Sequence, residues 1–90
     1  MAKWIKSSGE VVEVQPAAPP KKGKRAKFTL DELQGFVGGY IERLIVAPNL
    51  DMICNEEGKL HGLPVNQVAT ALAKTQWIVG DVVLVERGEW

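Results

Sequence analysis

The sequence has ninety residues, a single cysteine, and eleven basic side chains balanced by eleven acidic ones. That length allows one domain, 1–90, burying about 60–68% of its unfolded surface, while a hydrophobic content of 46% excludes a wholly disordered chain. No apolar run nears the roughly 18 residues of a membrane span, and the opening residues lack a signal-peptide stretch. A lone Cys54 forms neither an internal disulfide nor an all-cysteine metal site, so a reducing, cytosolic compartment is the expected location.

The neutrality is a sum of unequal parts. Residues 1–27 carry seven bases against two acids, a balance of +5, and residues 28–90 carry four against nine, a balance of −5. In chain order, Trp4-Ile5-Lys6 and Glu10-Val11-Val12-Glu13-Val14 predict two short strands joined by a turn at Gly9. Pro16-Ala-Ala-Pro19-Pro20 then leads into Lys21, Lys22, Lys24, Arg25 and Lys27. Prolines continue neither a helix nor a sheet ladder and like charges repel, so residues 16–27 predict an exposed, flexible basic loop.

Thr29 followed three residues later by Glu32 is a capping box, and Leu30, Leu33, Phe36 and Val37 carry helical spacing that Gly38-Gly39 stops. Tyr40 to Val46 is rich in β-branched residues and predicts the longest strand. Pro48 to Asp51 predicts a turn, and Met52-Ile53-Cys54-Asn55 the antiparallel return. Asn66 predicts the cap of a second helix over Gln67 to Lys74, with Val68, Ala71 and Leu72 as a narrow apolar face. Val82-Val83-Leu84-Val85-Glu86 is apolar at alternate and intervening positions alike, as a central or doubly covered strand is. The order β-β-α-β-β-α-β predicts an α+β fold: a small, mainly antiparallel sheet with two short helices on one face. The open face left by that layering leads to the expectation of a homodimer or higher homo-oligomer.

Catalytic signatures find no anchor. His61 and Cys54 lack metal-ligand spacing, Glu56-Glu57 are adjacent residues in a turn, and Gly38-Gly39 follows a helix rather than a strand. Cys54 lies in an apolar run, where a buried structural thiol is the ordinary reading. The expectation is a non-enzymatic protein without cofactor or metal. Polar groups beside the turns, namely Tyr40, Arg43, Asn55 and Asn66, join the five loop bases as candidate ligand-binding residues. Trp90 stands apart because a tryptophan at the end of a chain is seldom placed there by core packing.

Five blocks are familiar together: Thr29-Leu-Asp-Glu-Leu-Gln34, Val37-Gly-Gly-Tyr-Ile-Glu42, Asn55-Glu-Glu-Gly-Lys59, Gly62-Leu-Pro-x-Asn66-x-x-Ala69 and Ile78-x-Gly80-Asp81. Over roughly residues 28–86 the chain resembles a small phage- and plasmid-borne family, domain of unknown function thirty-eight forty-six. The basic loop looks like an insertion in that pattern. The resemblance implies an accessory protein of mobile elements, expected in the cytoplasm of a bacterial host cell, and no particular activity. With the basic loop, it leads to the expectation of an anionic, nucleotide-type host signalling molecule held by a counter-defence sponge. The alternative is an inhibitor that docks its acidic body on a host defence protein, the loop serving as a linker. Duplex DNA is disfavoured, because the acidic body repels it.

Overall fold

The computed structural model describes residues 2–74 and 76–90. Along the chain these form β1 (Ala2–Ile5), β2 (Val11–Val14), α1 (Leu30–Val37), β3 (Ile41–Ala47), β4 (Leu50–Asn55), α2 (Gln67–Ala73) and β5 (Val82–Glu86). All five strands join one antiparallel sheet in the order β2-β1-β5-β4-β3. The predicted α+β class and element order are those observed. The apolar run of β5 occupies the middle of the sheet, where Val82, Val83 and Val85 are fully buried.

Local chemistry sets the element ends. The Thr29 hydroxyl accepts from the Glu32 amide at 3.1 Å, and the Glu32 carboxylate accepts from the Thr29 amide at 2.9 Å. These contacts satisfy two otherwise orphaned N–H groups and close the capping box. Amides of Thr29 first, then Ala17, hold the Glu32 carboxyl below its ordinary pKa. At the other end Gly38 takes φ 79°, a left-handed geometry that costs a glycine little. Between β3 and β4, Pro48 presets the turn and Asn49 tolerates φ 63°.

The helices take opposite faces of the sheet, which corrects the expected layering on one face. Leu33 and Val37 of α1 pack with Ala2, Phe28, Ile53, Val83 and Val85. Ala69 of α2 packs with Ile5, Met52, Cys54, Ile78 and Val82. Successive strand residues point to opposite faces, so the odd-numbered valines of β5 meet α1 and its even positions meet the α2 layer. A strand apolar on both sides requires cover on both.

The face of α2 is also reversed. Val68, Ala71 and Leu72, expected to line the core, face outward, and Val68 and Leu72 are about two-fifths exposed. Ala69 is buried and Ala73 packs beside it. Small side chains let the helix backbone approach the sheet closely, and the larger apolar residues are left outside. No helix among the described residues is long and apolar enough to cross a membrane.

Candidate functional site

The basic loop leaves β2 and returns to α1 pinned at both ends. The Ala17 amide donates to Glu32 Oε2 at 2.9 Å, and the Phe28 amide donates to the Glu89 carbonyl at 2.6 Å. Inside it, the Lys24 amide donates to the Lys21 carbonyl at 2.9 Å across a turn where Gly23 has φ 74°. This turn folds the prolines against the basic side chains. The result is a concave cup of about 330 Å³ lined by Pro19, Pro20, Lys21, Lys24, Arg25 and Lys27, among others. Lys22 lies outside its lining.

Charge in the cup is largely uncompensated. Lys21, Lys22, Lys24 and Lys27 are exposed and make no ion pair among the described residues. Arg25 alone is engaged, at 3.6 Å from Glu86 and 3.5 Å from the Arg87 carbonyl. Both partners of that pair are half exposed, so the contact is weak and readily exchanged.

The other candidate residues do not converge on the cup. Asn55 is a structural tie: its Nδ2 donates to the Val37 carbonyl at 3.1 Å and its Oδ1 accepts from the Glu57 amide at 2.8 Å. A Cβ at Gly39 would lie 2.9 Å from Asn55 Nδ2, so the approach requires glycine. Tyr40 is exposed and lines a separate hollow of about 230 Å³ with Asn55, Glu57 and His61. Asn66 is fully enclosed and bonded to main chain on three sides. Its amide is therefore withdrawn from solvent and from any ligand.

Arg43 belongs to a cluster that the sequence reading missed. Asp51 of β4 is completely buried among three partners, each 3.2 Å away: Arg43 Nε, an Arg87 guanidinium nitrogen and the Trp90 indole N–H. The Arg43 guanidinium also lies 5.8 Å from the centre of the Trp90 ring. Burial alone would raise the Asp51 pKa; hydrogen bonds from Arg87 and Trp90, with the charge of Arg43, overcome that and hold it below the ordinary value. The signal was present in the sequence: a lone acid inside the apolar stretch Leu50–Ile53, with one arginine within β3 and another just beyond β5. Trp90 thereby packs on the α1-side core rather than projecting from the end of the chain.

The sequence matches the family described as Domain of unknown function (DUF3846) over residues 9–89. The chain belongs to that family. No curated protein and no solved structure matches it.

In this DUF3846 protein the blocks that carried the resemblance meet pairwise in space. Val37-Gly38-Gly39-Tyr40 is tied to Asn55-Glu56-Glu57 through Asn55, and the Glu56 amide donates to the Tyr40 carbonyl at 2.9 Å. The stretch around Pro64 and Asn66 pairs with Ile78-Val79-Gly80 through a Val65–Val79 bridge and main-chain bonds. These contacts give the blocks an architectural reason. The match also spans the basic loop, which the resemblance had treated as an insertion.

Among the described residues no cluster of three or more His, Cys, Asp or Glu is arranged to hold a metal ion. Cys54 is buried, its thiol donates to the Glu42 carbonyl at 3.5 Å, and burial, aided by the charge of Glu42, pushes its pKa up to about 11. Only the thiolate is nucleophilic, so native Cys54 is expected to react with a disulfide reagent at pH 7 at least about 100-fold more slowly than in the urea-unfolded chain. Equal rates in the two states would refute the buried thiol.

Proposed function

We propose that this DUF3846 protein is a non-enzymatic binding protein that captures an anionic, nucleotide-type signalling molecule, acting as a sponge in counter-defence. The observation that supports the reading is the cup of the basic loop: about 330 Å³, walled by Pro19 and Pro20, with Lys21, Lys24 and Lys27 making no ion pair among the described residues. That volume lies within the range of small-ligand sites. Lysines supply charge to phosphate groups, Arg25 supplies a planar fork, and the proline rings offer an apolar surface to a base or sugar. Exchanging the long Arg25–Glu86 contact for a phosphate costs little, because both groups are already hydrated.

Calorimetry against a panel of cyclic di- and trinucleotides tests this. The expected result is stoichiometric binding that weakens as salt is raised, with the ligand recovered intact after denaturation. Replacing Lys21, Lys24 and Lys27 together by serine is expected to weaken binding at least about tenfold while the far-ultraviolet spectrum is unchanged. Absence of binding across the panel would remove the proposal. Recovery of a cleaved ligand would replace it with an enzyme.

A further inference from the structure

The cluster around Asp51 carries more positive charge than its own carboxylate requires. Asp51 is completely buried, and an arginine meets each of its oxygens: Arg43 Nε on Oδ2 and an Arg87 terminal nitrogen on Oδ1, both at 3.2 Å. The Trp90 indole N–H adds a third donor at the same distance. One arginine neutralises one carboxylate, so two against one leave a net +1 at this point of the surface. Neighbouring acids do not offset it. Glu42 lies on the opposite face of β3, where its charge acts on Cys54, and Glu86 faces Arg25 at 3.6 Å.

Both guanidiniums are also held in place while staying open to water. Arg43 is 42% and Arg87 45% exposed. Arg43 meets Asp51 through Nε, which leaves both of its terminal nitrogens outward; Arg87 uses one terminal nitrogen and keeps the other and its Nε. These remaining groups have no second partner among the described residues. The Trp90 ring, 5.8 Å from the Arg43 guanidinium, backs that side chain, and the Arg87 amide donates to the Asn49 carbonyl at 2.8 Å, fixing its main chain. An arginine that captures an anion ordinarily loses rotamer freedom in doing so; here folding has already ordered both. Beside them Ile45, two residues along β3 from Arg43 and directly across from Asp51, is 59% exposed. It gives the charged pair an apolar ledge on the same face.

We propose that Arg43 and Arg87 form a second anion site, separate from the cup, that takes the doubly charged phosphate of a phosphomonoester. Two neighbouring forks suit a phosphate, whose three terminal oxygens accept from both, better than a carboxylate, whose two oxygens are filled by one fork. The Ile45 ledge favours a phosphate that carries an organic body over the free ion. Asp51 is a positioning residue: it touches no ligand and keeps two like charges side by side. None of the cup lysines takes part, and Arg25 reaches only the Arg87 main-chain carbonyl, at 3.5 Å. The site therefore stands whether or not the cup binds a nucleotide.

The test uses the chain with Lys21, Lys24 and Lys27 replaced by serine, alongside the wild type, so that the cup does not contribute. The probes are inorganic phosphate, adenosine 5′-monophosphate and adenosine, followed at the Trp90 indole N–H resonance, which shares Asp51 Oδ2 with Arg43. Both phosphates are expected to shift that resonance saturably, the nucleotide at lower concentration, and adenosine to leave it unmoved. Arg43→Lys and Arg87→Lys keep the charge and a partner for Asp51 but lose the fork. Each is expected to weaken phosphate binding at least about tenfold with the circular dichroism unchanged. Equal affinity for the two phosphates would keep the site and assign it to the free ion. No saturable shift with either phosphate, an equal shift with adenosine, or lysine variants that bind as tightly as the arginines would overturn the proposal.

Discussion

Asn66→Asp is expected to destabilise the fold more than Asn66→Ala, although aspartate caps helices as well as asparagine does. The Asn66 Oδ1 accepts from the Ala69 amide at 3.0 Å, which is the capping contact. Its Nδ2 donates to the carbonyls of Ile5 and Gly80, each at 2.9 Å, and these contacts are long-range. One side chain thus ties α2 to the end of β1 and to the segment leading into β5. The group is 1% exposed, so no water replaces a lost partner. Alanine removes a cap worth about 1 kcal/mol and leaves two buried carbonyls short of a donor, together about 3 kcal/mol. Aspartate keeps the cap but turns a carboxylate oxygen toward both carbonyls, and the expected loss is about 3–5 kcal/mol. For a chain of this size 3 kcal/mol lowers the melting temperature by more than about 12 °C. Urea titrations of both variants measure the difference. A wild-type midpoint for Asn66→Asp would reduce the residue to a helix cap.

Asp51→Asn is the second large expected effect, and it carries a pH signature. The substitution keeps volume and one acceptor but removes the charge that holds Arg43 and Arg87. Both arginines are more than two-fifths exposed and rehydrate when released, which limits the cost. The expected loss at neutral pH is about 2 kcal/mol, below the range for a pair enclosed on both sides. The folded carboxyl titrates below its ordinary, unfolded value of 3.8. Its contribution is therefore complete above that value and is lost as pH falls through the lower, folded value. Glu32, also held down by its amide donors, acts with the same sign. Wild-type stability is expected to fall below about pH 4, and Asp51→Asn to show a shallower fall over the same window. Parallel acid profiles for the two proteins would mean that Asp51 is not the titrating group.

These two residues mark the reach of local sequence signals. Asn66 was recognised as a cap because the contact spans three residues and depends only on local spacing. Its bonds to Ile5 and Gly80 depend on which strands the sheet brings beneath the helix, and no window around residue 66 encodes that. Local sequence predicts a turn at Asp51, since Pro48 and Asn49 beside it carry the stronger local signal. Its place in β4 makes it a buried charge, and only the neighbours of that strand deliver Arg43 and Arg87. The loop bases needed no partner to be recognised: the charge run itself is the signal, and the structure adds the proline wall that turns the run into a cup.

What the sequence determined alone is what neighbouring residues decide among themselves. The capping box of α1, the left-handed stop at Gly38, the Pro48-Asn49 turn and the five apolar runs each rest on contacts a few residues apart. Tertiary structure decided the insertion of β5 between β1 and β4, the helices on opposite faces, the outward turn of Val68 and Leu72, and the enclosure of Asp51. The two-sided apolar character of Val82–Val85 called for cover on both faces but did not say which helix went where. That choice belongs to the pairing of distant strands, whose register and crossovers fix the side on which each connection packs.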